Sequence, residues 1–202
     1  NERVNEAELI ATARAQLEGQ VAGRRVLAIQ DTSEINFSRH RHSKAEFGRG
    51  GNGKDPALLI HPLLAIDAEA GCVLGLADIQ FIDRAPPAAQ PKPARVTDDK
   101  ESKRWIAAIQ AAAGLGRAGA TSLTVIADRE GDLYPVYARR PPEVEVLVRA
   151  QTDRRLASGP MLFAHLDGLA PAYDFILDLP AQPGRRARVT RMQVRFDRVA
   201  LR

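Results

Sequence analysis

Two runs of strand-forming residues, each closed by an aspartate, constrain this chain more than any other feature. Residues 25–30 lead into Asp31, and residues 122–127 lead into Asp128. Such runs are typical of strands buried in a sheet. In α/β proteins the binding and catalytic residues lie just past the carboxyl ends of such strands. If the two strands are neighbours, the carboxylates converge on an oxygen site suited to Mg²⁺. The alternative is that each aspartate is simply a turn residue.

The composition is that of a globular protein with an ordinary core. The chain has 202 residues, of which 45% are hydrophobic and 27% charged, and its net charge of +4 permits a nucleic-acid partner without requiring one. The single cysteine, Cys72, excludes an intrachain disulfide and suits a reducing cytoplasm. No apolar run reaches the roughly 18 residues that span a membrane, so we expect a cytoplasmic protein without a membrane partner. Because the sequence begins at Asn1 rather than Met, we expect a piece of a longer chain.

The hydrophobic periodicity predicts the order β, β, β, α, β, α, β after an N-terminal helix. A short turn at residues 67–71 makes the second and third strands antiparallel, and the later crossovers make the sheet mixed. Residues 32–55 are expected to form a long connection or a hairpin. A Pro-rich loop at 85–93 precedes a capping box formed by Asp98 and Glu101. The predicted helices cover residues 5–20, 98–115 and 132–140, and the predicted strands cover residues 26–30, 57–66, 72–82, 123–127 and 143–150.

The last quarter of the chain differs in character and is predicted to be a β-rich appendage. Residues 185–202 carry seven arginines and one aspartate. Such a run is either a solvated face or a strand that tracks phosphates. The expected elements are a helical turn at 161–166, strands at 173–179 and 189–199, and a turn at 183–186.

Three further motifs have a simpler interpretation than a ligand site. Residues 48–55 nearly match the phosphate-binding G-x-x-x-x-G-K-[ST] pattern. However, Asp55 stands where the hydroxyl belongs, and a strand rather than a helix is predicted next. His40 and His42 lie among basic residues and are expected to be solvated rather than bound to metal. His61 lies within an apolar strand and is expected to be a core histidine with its hydrogen bonds satisfied.

Two acidic residues follow Asp128 closely, and either could supply a third carboxylate. They are Glu130 and Asp132. Asp132 is also well placed to cap the short helix predicted after it, which is the simpler interpretation.

The ordered set of motifs resembles the catalytic core of bacterial DDE transposases of the insertion-sequence-four family. The similar stretches are LAIQDTS at 27–33, ESKRWIAA at 101–108 and VIADREGD at 125–132, and their order and rough spacing also match. The resemblance implies an α/β fold with a ribonuclease H-like mixed sheet, in which three antiparallel strands are followed by α/β crossovers and a β-rich insertion. The implied parts are an N-terminal helix and lead-in at 1–24, a catalytic core at 25–150 and the truncated start of the insertion at 151–202.

The resemblance also implies roles for individual residues. Asp31 and Asp128 correspond to two metal ligands of the family, which uses Mg²⁺, or Mn²⁺ as a substitute, to cleave DNA strands and transfer them. The family's third ligand is a Glu on a helix after the insertion, and no Glu follows Glu145 here. The implied partners are transposon-end DNA and a second copy in a synaptic homodimer, in the cytoplasm of a bacterium. The residues expected to contact the DNA backbone are Lys103, Arg104, Arg129, Arg185, Arg186 and Arg188.

Two other functions fit the same residues. One is a stand-alone Mg²⁺ nuclease that uses Asp31, Asp128 and either Glu130 or Asp132. The other is a non-catalytic remnant that binds DNA or dimerises. A Glu-bearing helix encoded beyond Arg202 would distinguish a transposase core from both. Without that Glu, we expect this chain alone to be inactive on DNA.

Overall fold

The computed structural model describes residues 5–84 and 103–202. The chain divides into two compact units, Asn1–Gln151 and Thr152–Arg202. Each unit contains a sheet of its own. The predicted Pro-rich loop at 85–93 and the capping box that follows it lie outside the described residues.

A six-stranded sheet forms the centre of the first unit. Five of its strands fall where the apolar runs predict them, and the remaining one falls inside the predicted long connection. The strands are β1 (Arg25–Gln30), β2 (Ser33–Asn36), β3 (Ala57–Asp67), β4 (Val73–Asp83), β5 (Ser122–Ala127) and β6 (Glu145–Val148).

This sheet is mixed, as predicted, with β1 at its centre. β1 pairs in parallel with β5 and antiparallel with β3. β5 pairs in parallel with β6, and β3 pairs antiparallel with β4. The order across the sheet is therefore β4, β3, β1, β5, β6, with β2 beside β3 beyond the end of β1. This order brings the carboxyl ends of β1 and β5 to the same edge.

β1 and β2 run along one edge of β3 in a single register. Gln30 at the end of β1 pairs with Leu63, and the first residue of β2 pairs with Ile60. The two residues between the strands therefore face Pro62 and the histidine before it. Because proline has no N–H to donate, the ladder of hydrogen bonds opens at this point, which is the position of Asp31. Of the two alternatives predicted for residues 32–55, a long connection or a hairpin, the antiparallel pairing of β2 with β3 shows a hairpin with a long turn.

The described residues of the first unit contain three α-helices, α1 (Glu6–Val21), α2 (Lys103–Arg117) and α3 (Tyr134–Ala138). α1 begins where the side chain of Asn5 accepts a hydrogen bond from the Glu8 amide at 2.9 Å, and it packs on β4. α2 buries Trp105, Ile109 and Leu115 completely and packs on β4 and β5. Of the helices in the described part of the chain, none combines the length and the apolar composition needed to cross a membrane.

These helices cover only one face of the sheet. On the covered face, Val26 of β1 and Val125 of β5 are 1% exposed. On the opposite face, Ile29 is 36%, Leu64 is 38% and Leu147 is 61% exposed. In the described residues of the first unit, no element packs over these side chains, so the sheet has one open, apolar face.

The second unit contains a short helix and a hairpin, both where they are predicted. Its elements are α4 (Leu162–Gly168), β7 (Tyr173–Leu179) and β8 (Arg188–Val194). β8 ends at Val194, earlier than the predicted strand at 189–199. Tyr173, the first residue of β7, pairs with Val194, so residues 195–199 have no partner in β7. One face of the hairpin carries Tyr173, Phe175 and Met192, which are 57%, 42% and 40% exposed.

Candidate metal centre

The two predicted aspartates come level with each other on neighbouring strands. The parallel register of β1 and β5 pairs Ile29 with Ile126. Asp31 and Asp128 each lie one residue past the end of their strand, and extending this register by two residues places them opposite each other. Because side chains alternate between the faces of a sheet, both carboxylates share the open face with Ile29 and Ile126. Both aspartates are exposed. Since neighbouring strands lie about 4.8 Å apart, this placement suits ligands of one cation.

One oxygen of each carboxylate is held by the backbone of its own loop. The Thr32 amide donates to Asp31 Oδ1 at 2.7 Å, and the Glu130 amide donates to Asp128 Oδ1 at 2.8 Å. Asp128 thereby caps the 3-10 helix Arg129–Gly131. One oxygen of each aspartate therefore makes the local hydrogen bond expected of a turn residue. The other oxygen, Oδ2, has no hydrogen bond among the described residues.

This donor set fits a hard divalent cation such as Mg²⁺ or Mn²⁺. Two carboxylates, each with one oxygen fixed and the other presented to solvent, are the oxygen ligands that these ions prefer. The set is nevertheless incomplete, because the described residues contain no group of three or more His, Cys, Asp or Glu side chains arranged around one ion. Such a centre would leave most coordination positions to water, substrate or further ligands.

A buried guanidinium connects the two aspartate-bearing loops. Arg104, in the first turn of α2, is only 7% exposed. Its Nε donates to Thr32 Oγ1 at 2.9 Å, and its Nη2 donates to Glu130 Oε2 at 2.9 Å. The guanidinium carbon lies 5.6 Å from the ring centroid of Trp105. These interactions place the Arg104 side chain in the interior and not at the surface, where the predicted contact with the DNA backbone requires it.

His61 extends the same network into the core. It is fully buried, and its ring packs edge-on against Trp105 with the centroids 4.6 Å apart. Nδ1 lies 2.8 Å from Thr32 Oγ1, and Nε2 lies 3.0 Å from Gln30 Oε1. Because Gln30 Oε1 can only accept, Nε2 carries the ring hydrogen and donates to it. In the neutral ring Nδ1 then accepts from the Thr32 hydroxyl, which itself accepts from Arg104 Nε. The prediction of a core histidine with satisfied hydrogen bonds is confirmed.

The charge state of His61 follows from its surroundings. Burial, followed by the nearby positive charge of Arg104, lowers the pKa of His61 to about 4. The ring is therefore neutral near neutral pH, as the network requires.

The two candidates for a third carboxylate are both engaged elsewhere. Glu130 pairs with Arg104, as described above. Asp132 is 6% exposed, and it accepts hydrogen bonds from the Tyr137 hydroxyl at 2.8 Å and from the Gln151 amide at 2.7 Å. The prediction that Asp132 caps a helix is wrong, because α3 has Leu133 at its cap position and no side-chain cap.

The loop that resembles a phosphate-binding motif is held by its own side chains. Asp55 Oδ2 accepts from Asn52 Nδ2 at 2.8 Å, and Asp55 Oδ1 pairs with Arg41 Nε at 2.5 Å. β3 follows directly, as predicted, so the loop leads into a strand and not into a helix N-terminus. His40 and His42 are exposed. The remaining residues predicted to contact DNA are also exposed, and they are Lys103, Arg129, Arg185, Arg186 and Arg188.

Sequence reasoning missed the residues that support the aspartates from behind. Thr32, Gln30 and Gly131 lie within the stretches 27–33 and 125–132, but no supporting role was predicted for them. Thr32 and His61 become neighbours because β2 resumes the pairing with β3 after Asp31. The one sequence signal for this interruption between β1 and β2 was Pro62, which lies opposite it in β3. A Cβ on Gly131 would lie 2.6 Å from Ala127 Cβ, so only glycine fits there. No protein-family model matches the chain.

Proposed function

We propose that the first unit is the catalytic core of a DDE transposase, with a ribonuclease H-like sheet. The observation that carries this proposal is the parallel register of β1 and β5, which sets Asp31 level with Asp128. The sheet topology supports it, because three antiparallel strands, β1, β3 and β4, are followed by α/β crossovers to β5 and β6, as the resemblance implies. The substrate class is the phosphodiester backbone of DNA.

In this function Asp31 and Asp128 hold Mg²⁺, with Mn²⁺ as a substitute. When bound, the metal activates a water or a DNA 3′-hydroxyl and neutralises charge that develops on the phosphate. The protein's contribution is to orient the two carboxylates. The Thr32 and Glu130 amides fix one oxygen of each, and the open face leaves the other accessible to a bulky substrate.

The third carboxylate is proposed to come from a segment outside this sequence. Glu130 is bound to Arg104, and Asp132 is buried against Tyr137, so the use of either as a ligand would require breaking an existing interaction. This arrangement favours the transposase core over a stand-alone nuclease. The open apolar face beside the aspartates offers a surface on which a Glu-bearing helix could pack.

Transposon-end DNA, a homodimeric synaptic complex and a bacterial cytoplasm remain part of the proposal. Exposed basic residues support DNA as the partner, with Lys103 and Arg129 in the first unit and three arginines at or beside the hairpin turn of the second. The exposed apolar face of that hairpin favours a protein contact. A dimerising remnant without activity is therefore the second candidate function.

Metal binding tests the site directly. We expect Mn²⁺ to bind weakly, in a single class of site, when free Mn²⁺ is measured by electron paramagnetic resonance during a titration. Asp31→Asn and Asp128→Asn should each abolish this binding, whereas Asp167→Asn, a change of an exposed carboxylate in the second unit, should leave it unchanged. Equal binding by all four proteins, or none by the unaltered chain, would contradict a metal centre at Asp31 and Asp128.

A further inference from the structure

We propose that Arg104 is a positioning residue that couples the loop bearing Asp31 to the loop bearing Asp128. This inference builds on the proposed function, because coupling matters to chemistry only if the two aspartates act together. The coupling itself is a property of the fold and can be measured without metal or DNA.

The geometry assigns each arm of the guanidinium to a different loop. Nε contacts the hydroxyl of Thr32, the residue directly after Asp31. Nη2 contacts the carboxylate of Glu130, whose backbone amide holds Asp128. One planar group thus touches the residues that fix both carboxylates. A displacement of either loop therefore strains a contact to the other.

Arg104 is itself fixed in position by its surroundings, so it can hold the two loops at a constant distance from each other. Its backbone carbonyl accepts a hydrogen bond from Gln80 Nε2 of β4 at 3.0 Å. Its side chain is 8% exposed and lies beside Trp105, which is 1% exposed. On the other side of Thr32, His61 and Gln30 continue the hydrogen bonds into the core. The Asp31 loop is therefore fixed from two directions.

The chemistry of the contact requires arginine. Its fork presents several N–H donors in fixed directions and can serve two acceptors at once, whereas the lysine ammonium is a point charge on a flexible stem. Lysine at this position would keep the positive charge and lose the simultaneous contact. Arg104→Lys should therefore loosen at least one of the two loops.

Amide hydrogen exchange of the unaltered full chain and its variants, followed by NMR, tests the coupling. In Arg104→Met we expect exchange at the Thr32 and Glu130 amides to rise about tenfold, because a charge-assisted hydrogen bond is lost on each side. Exchange at Ile109 and Val125, in the core, should stay unchanged. The matched control is Arg117→Met on the same helix, whose side chain is 71% exposed and lies 3.6 Å from Glu143. That control should alter neither loop.

A second variant measures transmission between the loops. Thr32→Val removes the acceptor for Nε and lies in the Asp31 loop only. We expect it to raise exchange at the Glu130 amide when Arg104 is present and to have no such effect in the Arg104→Met background. A residue with only a packing role would not produce this difference. If Arg104→Met does not fold, Arg104→Lys replaces it as the background, because lysine keeps the positive charge and loses the simultaneous contact.

Three outcomes would overturn the proposal. They are unchanged exchange at either loop in Arg104→Met, an equal rise at the core amides, and an unchanged Glu130 amide in Thr32→Val. Failure of the proposed function would look different. In that case the unaltered chain would not bind Mn²⁺, while the exchange results would still show whether the loops are coupled.

Discussion

At the scale of single residues, His61 makes folding stability depend on pH. An unfolded histidine titrates near its ordinary pKa of about 6.5, whereas burial lowers the pKa of folded His61 to about 4. The unfolded chain therefore binds the extra proton first, so the stability present above about pH 6.5 is lost as the pH falls toward 4. At roughly 1.4 kcal/mol per pH unit, the loss is about 3 kcal/mol.

Urea unfolding at about pH 7 and about pH 4.5 measures this loss. In His61→Gln, the destabilisation between the two pH values should largely disappear, although the variant starts from lower stability. His42→Gln, which alters an exposed histidine, should behave as the unaltered chain. The same pH dependence with and without His61 would contradict a buried, neutral imidazole.

Gly131 is the second residue whose identity the packing determines. It follows Glu130 in the Asp128 loop, and a Cβ there would lie 2.6 Å from Ala127 Cβ and 3.1 Å from Trp105 Cε3. We expect Gly131→Ala to lower the free energy of unfolding by about 1–3 kcal/mol because the core is overpacked.

The matched change is Gly19→Ala in α1, where nothing lies within 4 Å of the added carbon. There alanine should raise stability by up to about 1 kcal/mol, because glycine is a poor helix former. Thermal or urea unfolding of both variants checks the pair. Similar effects of the two substitutions would show that the contacts of Gly131 are not tight.

At the scale of elements, DNA binding can be tested on the exposed arginines of the hairpin formed by β7 and β8. Arg185, Arg186 and Arg188 are exposed at or beside its turn, without an ion pair among the described residues. Phosphate contacts release counterions, and the slope of log affinity against log salt is about −0.9 per contact on duplex DNA. Replacing all three with Ala should flatten that slope.

The control for this prediction lies in the same hairpin. Arg191 pairs with Asp174 at 2.5 Å, so its charge is already neutralised. Arg191→Ala should change the salt dependence less than any one of the three exposed arginines. Fluorescence anisotropy with an arbitrary duplex at several salt concentrations measures both. An affinity that does not vary with salt would exclude a phosphate-dominated contact.

The elements also show how far the sequence predicts this fold. The strands β1 and β5 were predictable because nearly all of their residues are apolar or favour strands, and an aspartate directly follows each of them. β2 was not predictable from its own polar residues, since β3 supplies the pairing that makes it a strand. Arg104 was expected at the surface because arginine usually is exposed. Its burial depends on partners, Thr32 and Glu130, that are distant in sequence and meet only in the folded sheet.

At the scale of the whole molecule, the proposed metal centre has two carboxylates, and the described residues bring no third ligand to it. The sheet sets two carboxylates side by side, and Arg104 ties their loops together. The nearby acids that could complete the site are committed to other contacts. Two-metal chemistry on a phosphodiester needs each ion held firmly, and two carboxylates alone hold the second ion poorly. We therefore expect this chain to hold a metal ion weakly and to be inactive on DNA until a third carboxylate ligand is supplied.

A plasmid-nicking assay with Mg²⁺ or Mn²⁺ tests this claim most directly. The proteins to compare are this chain, its Asp128→Ala variant, a version extended through the next Glu-bearing helix of its gene, and that extended version with Asp128→Ala. We predict nicking by the extended version alone, because only it combines Asp31, Asp128 and a third carboxylate. Nicking by the present chain that disappears in Asp128→Ala would contradict the account and favour a stand-alone nuclease.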